Sequence, residues 1–305
     1  MAIKDYVRCV QGMFAKYPLL LAPLRVLTSR NLFPRYVWKR MPVDFCFQLS
    51  LQDGDRFAYR SHACDSIGRV LYWKGALHFE RETSSIFVEL AKSASCILDI
   101  GANTGFYGLL GCAVNPKCVA YCFEPSPNTF EAMRTNIKLN GFNDRCIAVM
   151  AAVSDREGTT KFHLPNSGFP SSASLHVDGF RGYSGVLIDV RLITIDGYLR
   201  DEMPVDLIKI DTEGFEDAVL RGMSRILHEH RPDMFIECLP DGPNYEIEGI
   251  LRKYNYRFFH LMDRGPVERI SIEPDAKEQY RNYLCTARQS TVSKINHVVQ
   301  VGKAA

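Results

Sequence analysis

The sequence predicts an α/β protein built on a doubly wound, mostly parallel sheet, with an N-terminal helical and hairpin extension. Three observations carry that expectation. From residue 96 onward, short apolar runs alternate with segments of helical length and spacing, the pattern of a sheet covered by helices on both faces. The first of these runs ends in a glycine-bearing turn, Asp99 to Gly105, that opens a helix. The chain has 305 residues, of which 46% are apolar and 24% charged, enough to bury a core without disulfides or metals.

Residues 1–41 read as helical pieces broken at Pro18, Pro23 and Pro34, and residues 43–60 alternate around Asp53-Gly54, a hairpin signal. Over 80–93, Ile86, Phe87 and Leu90 are spaced as on an amphipathic helix. The repeating part then begins. A strand is expected over Cys96–Ile100, a helix over Phe106–Val114, a strand over Cys118–Phe123, and a helix over Pro127–Asn140 that Gly141 stops. A third strand covers Cys146–Val153. Later come strand Val205–Ile210, helix Glu216–Leu227, strand Met234–Cys238, helix Tyr245–Tyr254, and strands Arg257–Leu261 and Tyr283–Ala287. The predicted division is a cap over 1–94, a ligand-binding domain over 95–288 and a tail over 289–305 without a clear core pattern. Residues 163–185 interrupt the rhythm with four Gly, five Ser and two Pro, and read as a long loop or lid over the cleft.

Charge and cysteine usage narrow the class. A net formal charge of +2 offers no field for nucleic acid. Residues 1–41 nevertheless hold eight basic side chains against Asp5, a formal +7, which leaves the remainder at −5. This leader either packs its apolar side on the fold or meets an anionic membrane surface from outside. No run approaches the roughly 18 apolar residues of a membrane span. The ten cysteines form no CxxC pair and no zinc spacing, which points to a reducing, cytoplasmic setting.

The chemistry-bearing residues fall at the carboxyl ends of the expected strands, where sheets of this kind bind ligands. Asp99-Ile100-Gly101-Ala102-Asn103-Thr104-Gly105 is not GxGxxG, and its acid stands poorly for a pyrophosphate. It suits a ligand carrying an ammonium and a sulfonium, as S-adenosylmethionine does. Glu124 ends the next strand, where a carboxylate accepts hydrogen bonds from ribose hydroxyls of either S-adenosylmethionine or NAD. Ala151 and Ala152 leave room for a flat adenine, and Asp155 is placed to meet its amino group or to serve as a turn residue. Lys209 and Asp211 share one face of a strand, and a Lys inside an apolar strand needs a partner, Asp211 or Glu237. Asp211, Glu213 and Glu237 converge where the reaction is expected. Three carboxylates also suggest a divalent metal, but no histidine lies near them in sequence and no metal is assigned. His163 and His176, in the Gly/Ser-rich segment, are weaker candidates for a base.

The order of Asp99–Gly105, Phe123-Glu124-Pro125, Ala152–Asp155, Ile195–Leu199, Asp206–Gly214, Arg231-Pro232 and Ile236-Glu237 resembles that of the FkbM-type methyltransferases, over about residues 70–287. The resemblance implies a class I methyltransferase fold, S-adenosylmethionine as cofactor, and O-methylation of a hydroxyl on a small molecule, polyketide or sugar; the basic leader adds a lipid-linked glycan as a candidate acceptor. It implies that Asp99, Gly101, Asn103 and Gly105 hold the methionine part, Glu124 the ribose, and Ala152 with Asp155 the adenine. Asp211, Glu213 and Glu237 would line the transfer site. Thr212 stands where an aliphatic residue is frequent in the family, and Phe215 where a small one is. Two other readings remain: an interaction module that keeps the cofactor pocket without catalysis, and an NAD-dependent oxidoreductase, which Asp99 and the missing GxGxxG disfavour.

Overall fold

The apolar runs assemble into an eight-stranded sheet whose two faces are both covered. The computed structural model describes residues 18–29, 32, 34–51, 53–165, 185–199 and 204–295. Helices α1 (Pro18–Ser29) and α2 (Arg35–Trp38) precede an antiparallel hairpin, β1 (Cys46–Ser50) and β2 (Arg56–Arg60), followed by α3 (Ser66–Lys74) and α4 (Arg81–Ala91). The alternating part runs β3 (Cys96–Ile100), α5 (Phe106–Val114), β4 (Val119–Phe123), α6 (Pro127–Leu139) and β5 (Cys146–Val149). Next come β6 (Ala152–Val153), β7 (Gly158–Pro165), β8 (Gly185–Ile193) and the short α7 (Ile195–Tyr198). The chain returns to the main sheet with β9 (Leu207–Ile210), α8 (Glu216–Arg221), α9 (Ser224–Glu229), β10 (Asp233–Glu237), α10 (Asn244–Arg252), β11 (Arg257–Met262), β12 (Gly265–Arg269) and β13 (Asn282–Thr286).

Strand order in the main sheet is β12-β11-β13-β10-β9-β3-β4-β5. Neighbours from β5 to β10 are parallel, whereas β13 runs antiparallel between β10 and β11. The chain winds outward from β3 to β5 and then crosses back to β9 on the other side of β3. That reversal opens a crevice at the carboxyl ends of β3 and β9. The register there sets Asp99 beside Lys209 and Ile100 beside Ile210.

Side chains alternate across the pleat, and the core divides accordingly. Ile97 joins a cluster with Leu21, Trp38, Tyr59, Trp73, Phe87, Leu109 and Leu284, so the N-terminal elements and the sheet share one apolar core. Leu98 faces the other way, with Ile208, Ile236, Val219, Ile226 and Leu251.

Several boundaries differ from those expected from sequence. The third strand ends at Val149; Ala152–Val153 leave the main sheet and pair with β8 in a separate three-stranded sheet. The ends of the Gly/Ser-rich segment are paired strands, with His163 opposite Leu187 and Pro165 opposite Gly185, while residues 166–184 lie outside the described residues. The expected helix Glu216–Leu227 is two helices. Gly222 lies at the break, where an added Cβ would stand 2.0 Å from the Ser154 carbonyl oxygen. Helix α1 continues through Pro23 at the loss of a backbone hydrogen bond, and its Leu21 is buried. Val26, Leu27, Leu32 and Tyr36 remain exposed, and residues 1–17, 30, 31 and 33 of the basic leader lie outside the described residues. The start of the tail is helical, and Val292 and Ile295 join the core. Among the described residues, no helix is long and apolar enough to cross a membrane.

The hairpin is held to the repeating part by two asparagines one turn apart, Asn136 on α6 and Asn140 just past its end. Asn140 accepts from the Ala58 N–H at 2.6 Å and donates to the Ala58 carbonyl at 2.8 Å. Asn136 accepts from the Arg60 N–H at 2.7 Å and donates to the Thr104 carbonyl at 3.2 Å. Two side-chain amides thus complete the edge of β2 as a neighbouring strand would. Asn136→Ala removes both of its hydrogen bonds at a fully buried position and should lower the unfolding free energy by about 1–3 kcal/mol in urea denaturation.

Candidate active site

A cleft with about 1210 Å³ of space between protein atoms, its open mouth included, lies over the carboxyl ends of β3, β4, β9 and β10. Of the residues singled out from sequence, Asp99, Gly101, Asn103, Glu124, Ala152, Asp211, Glu213 and Glu237 line it. Gly105 and Asp155 do not.

The turn after β3 needs its unusual backbone. Gly101 has φ +78°, and a Cβ there would fall 1.8 Å from the Asp211 carbonyl oxygen. The glycine therefore admits the neighbouring strand end as well as leaving space at the cleft. Asn103 sits in the left-handed region at φ 50°, and its N–H donates to Glu124 Oε2 at 2.9 Å. Gly105, φ +86°, precedes α5 and packs where a Cβ would meet Met133 Cγ at 2.8 Å, so its role is to shape the turn from behind.

Two buried carboxyl groups flank the turn. Asp99 accepts from the Gly108 N–H at 3.0 Å. Burial pushes its pKa up to about 7, against the pull of that N–H and of Lys209. Glu124 accepts from the Ser126 N–H at 2.8 Å and the Thr129 hydroxyl at 3.0 Å, besides Asn103. Burial pushes it up to about 7 as well, against those donors. Beyond Glu124, Ala151, Ala152, Val153 and Phe162 form an apolar wall. Asp155 lies elsewhere, with its Oδ2 on Arg221 Nε at 3.1 Å beside a shallower depression. His163, expected in a loop, is buried in β7 and does not line the cleft; His176 lies outside the described residues.

At the other end stand the groups that can handle a proton. Lys209, 1% exposed, donates to Asp211 Oδ2 at 2.9 Å and Asn282 Oδ1 at 3.2 Å, with Glu80 Oε2 at 3.9 Å and the Tyr107 ring beneath it. Burial alone would lower its pKa, but Asp211, Glu80 and Glu237 overcome that and raise it, so the ammonium stays charged. Asp211, Glu213 and Glu237 bring carboxylate oxygens within 4.8 Å of one another. Glu237 is buried, and burial followed by repulsion from Asp211 and Glu213 drives its pKa well above the carboxylate range. Arg281 Nη1 lies 3.5 Å from Glu237 Oε1.

Sequence reasoning missed the supports of this end. Glu80, in the left-handed region at φ 43°, accepts from the Tyr107 hydroxyl at 2.6 Å and brings the N-terminal cap to Lys209. Glu216 Oε1 accepts from the Thr212 N–H, the Thr212 hydroxyl and the Gly214 N–H at 2.9–3.1 Å, which closes the loop that carries Glu213. An acid in the first turn of a helix was the available signal for Glu216. Nothing local marks Glu80, Asn282 or Arg281.

A parallel sheet with this strand order, its reversed β13 and a cleft at the β3–β9 switch point define a class I, Rossmann-like methyltransferase fold. The profile of the methyltransferase FkbM domain matches residues 99–258, and the chain belongs to that family. Over 156 residues it is 30% identical to the 2-O-methyltransferase NoeI of Sinorhizobium fredii, covering 47% of this chain and 63% of that protein. It is 27% identical over 185 residues to the methyltransferase sdnD of Sordaria araneosa, covering 51% and 71%. The hexuronic acid methyltransferase AglP of Haloferax volcanii is 24% identical over 157 residues, covering 50% and 59%. The chain thus spans less than two thirds of the length of NoeI and AglP.

Two outcomes follow from the geometry. Gly101→Ala should cost about 1–3 kcal/mol in backbone strain alone, and should displace Asp211; denaturation and the amide spectrum of the strand ends report both. The second concerns pH. Asp99 and Glu124 hold protons in the folded state that the unfolded chain has already released, so their contribution to stability is present at low pH. It is lost as pH rises from the ordinary carboxylate range through about 7. Urea denaturation from pH 5 to 8 should show that loss, and Asp99→Asn combined with Glu124→Gln should flatten it.

Proposed function

We propose that this protein is an S-adenosylmethionine-dependent O-methyltransferase acting on a hydroxyl of a small molecule, sugar or lipid-linked glycan. The observation that carries this reading is the meeting, in one cleft, of the Asp99–Asn103 turn, the Glu124 carboxylate and the acidic trio on β9 and β10. The relatives support it: NoeI is named a 2-O-methyltransferase, and AglP a methyltransferase of hexuronic acid.

The residues present fit the cofactor. Asp99 offers a carboxylate to an ammonium beside the open turn. Glu124 Oε2 carries one protein hydrogen bond, from Asn103, and so keeps acceptor capacity for a ribose hydroxyl at the cleft wall. Ala151, Ala152 and Phe162 suit a flat, apolar-faced base. Gly101 and Gly105 act through backbone shape. Asp155, tied to Arg221, is left out of this assignment.

When bound, S-adenosylmethionine supplies a methyl group already activated on a positively charged sulfur. What the protein must add is alignment of the acceptor oxygen and removal of its proton. Asp211 is held by the Lys209 ammonium through one oxygen, which fixes its direction. It orients the acceptor hydroxyl, and the trio with Glu213 and Glu237 receives the proton. Glu216 holds the loop in place, and Phe79 with Ile67 from the cap forms an apolar wall of the same cleft.

Calorimetry with S-adenosylhomocysteine should give a Kd of micromolar order, about −8 kcal/mol. Asp211→Asn should keep that affinity while lowering methyl transfer to a labelled acceptor by roughly 10²–10⁴-fold. Binding of NADH in preference to S-adenosylhomocysteine, or full transfer by the variant, contradicts the assignment.

A further inference from the structure

We infer that Asp211, Glu213 and Glu237 form a binding site for a hard divalent cation, of the magnesium or manganese kind, which faces the acceptor side of the cleft. The inference deepens the methyl-transfer reading, since the cation's place in catalysis rests on that reading; the existence of the site does not.

The first observation is spacing. Oxygens that share one such ion at about 2.1–2.4 Å lie within roughly 4–5 Å of one another. The three carboxylates meet that condition, at 4.8 Å or less. They come from two adjacent strand ends and from a loop that Glu216 clamps, so the spacing belongs to the scaffold.

The second observation is independent of the spacing. Glu237 is only 4% exposed, and its Oε2 has no hydrogen-bond partner among the described residues. Its other oxygen has Arg281 at 3.5 Å. A buried carboxylate oxygen left unpaired is costly, and a ligand in the cleft that it lines would satisfy it.

Charge points to the kind of ligand. Four carboxyl groups, Glu80, Asp211, Glu213 and Glu237, gather around two cations, Lys209 and Arg281. Arg281 is also held by Glu278 at 2.8 Å, so acids outnumber cations here, and a bound cation would offset that excess. Lys209 occupies only Oδ2 of Asp211. The donor set is all oxygen, with no imidazole or thiolate in the group, and so suits a hard ion of the magnesium or manganese kind. An ion there would favour the deprotonated form of an acceptor hydroxyl and orient a neighbouring oxygen of the same molecule.

The test uses the full chain, stripped with a chelator and titrated with manganese. Free manganese is counted by electron paramagnetic resonance. One ion per chain is expected, displaced by magnesium. Glu237→Gln should weaken binding at least tenfold, and Glu213→Gln serves as a second variant if the first is misfolded by circular dichroism. Glu131→Gln, on an exposed face of α6, should bind as wild type does. The site is refuted if the folded wild-type chain leaves manganese free up to about 1 mM, weaker than the sites of extracellular calcium modules. Wild-type affinity in both folded site variants refutes it too. Calorimetry with S-adenosylhomocysteine on the same stripped sample separates the two readings. Manganese bound without S-adenosylhomocysteine supports the cation site and counts against methyl transfer. S-adenosylhomocysteine bound without manganese overturns the cation site and leaves methyl transfer standing.

Discussion

The ammonium of Lys209, carried into the interior on a sheet strand, is the constraint around which the cleft is built. A charge at that depth is tolerated only when paired and hydrogen-bonded. The chain meets the demand with groups from three regions: Asp211 two residues on, Asn282 from the last strand and Glu80 from the cap. Each partner has to arrive at one point, and their arrival brings the carboxyl end of β9, the amino end of the reversed β13 and the start of α4 to the same side of the sheet. The pairing has a second consequence. With the ammonium kept charged, Asp211 has a fixed direction, and the acids around it crowd one another. Their crowding is a cost in stability that the fold carries in the wall of the cleft.

The turn after β3 is tied into the same arrangement from the other side. Gly101 lets the Asp211 carbonyl approach to a distance no side chain would permit, so the Asp99–Gly105 turn and the acidic strand end are neighbours by backbone contact. A change in either shifts the other. Asn103 and Glu124 then link the turn to β4, which gives one continuous wall from the acidic end to the apolar end of the cleft.

The N-terminal elements are part of this wall. The Tyr59 hydroxyl pairs with the Thr104 hydroxyl at 2.5 Å and donates to Asp65 at 3.0 Å, and Asp65 caps α3. Ser66 and Ile67 of that helix, with Phe79 and Glu80, line the cleft. The shared apolar core, the asparagine ladder of α6 and these polar links hold the cap against the sheet. Because the cap supplies cleft residues, the shape of the cleft depends on residues before 94 as well as on the family motifs.

The local signals in the chain determined the alternation of strands and helices, the turn at Asp99–Gly105 and the acids at strand ends. Each depends on residues adjacent in sequence: a period in apolar side chains, or a glycine where the backbone must be left-handed. Asp99, Asn103, Glu124, Asp211, Glu213 and Glu237 were legible for that reason, as strand-terminal polar residues beside apolar runs. Asp155 looked the same locally, yet tertiary packing put it on Arg221, because the third strand ends early and its continuation pairs with β8 instead. His163 read as a loop residue until strand pairing with β8 buried it. Glu80, Asn282 and Arg281 carry no local mark at all. Their roles come from contacts between segments far apart in the chain, and only the folded sheet, with the ends of β9, β10 and β13 gathered around a buried Lys209, decides which distant polar groups share a charge.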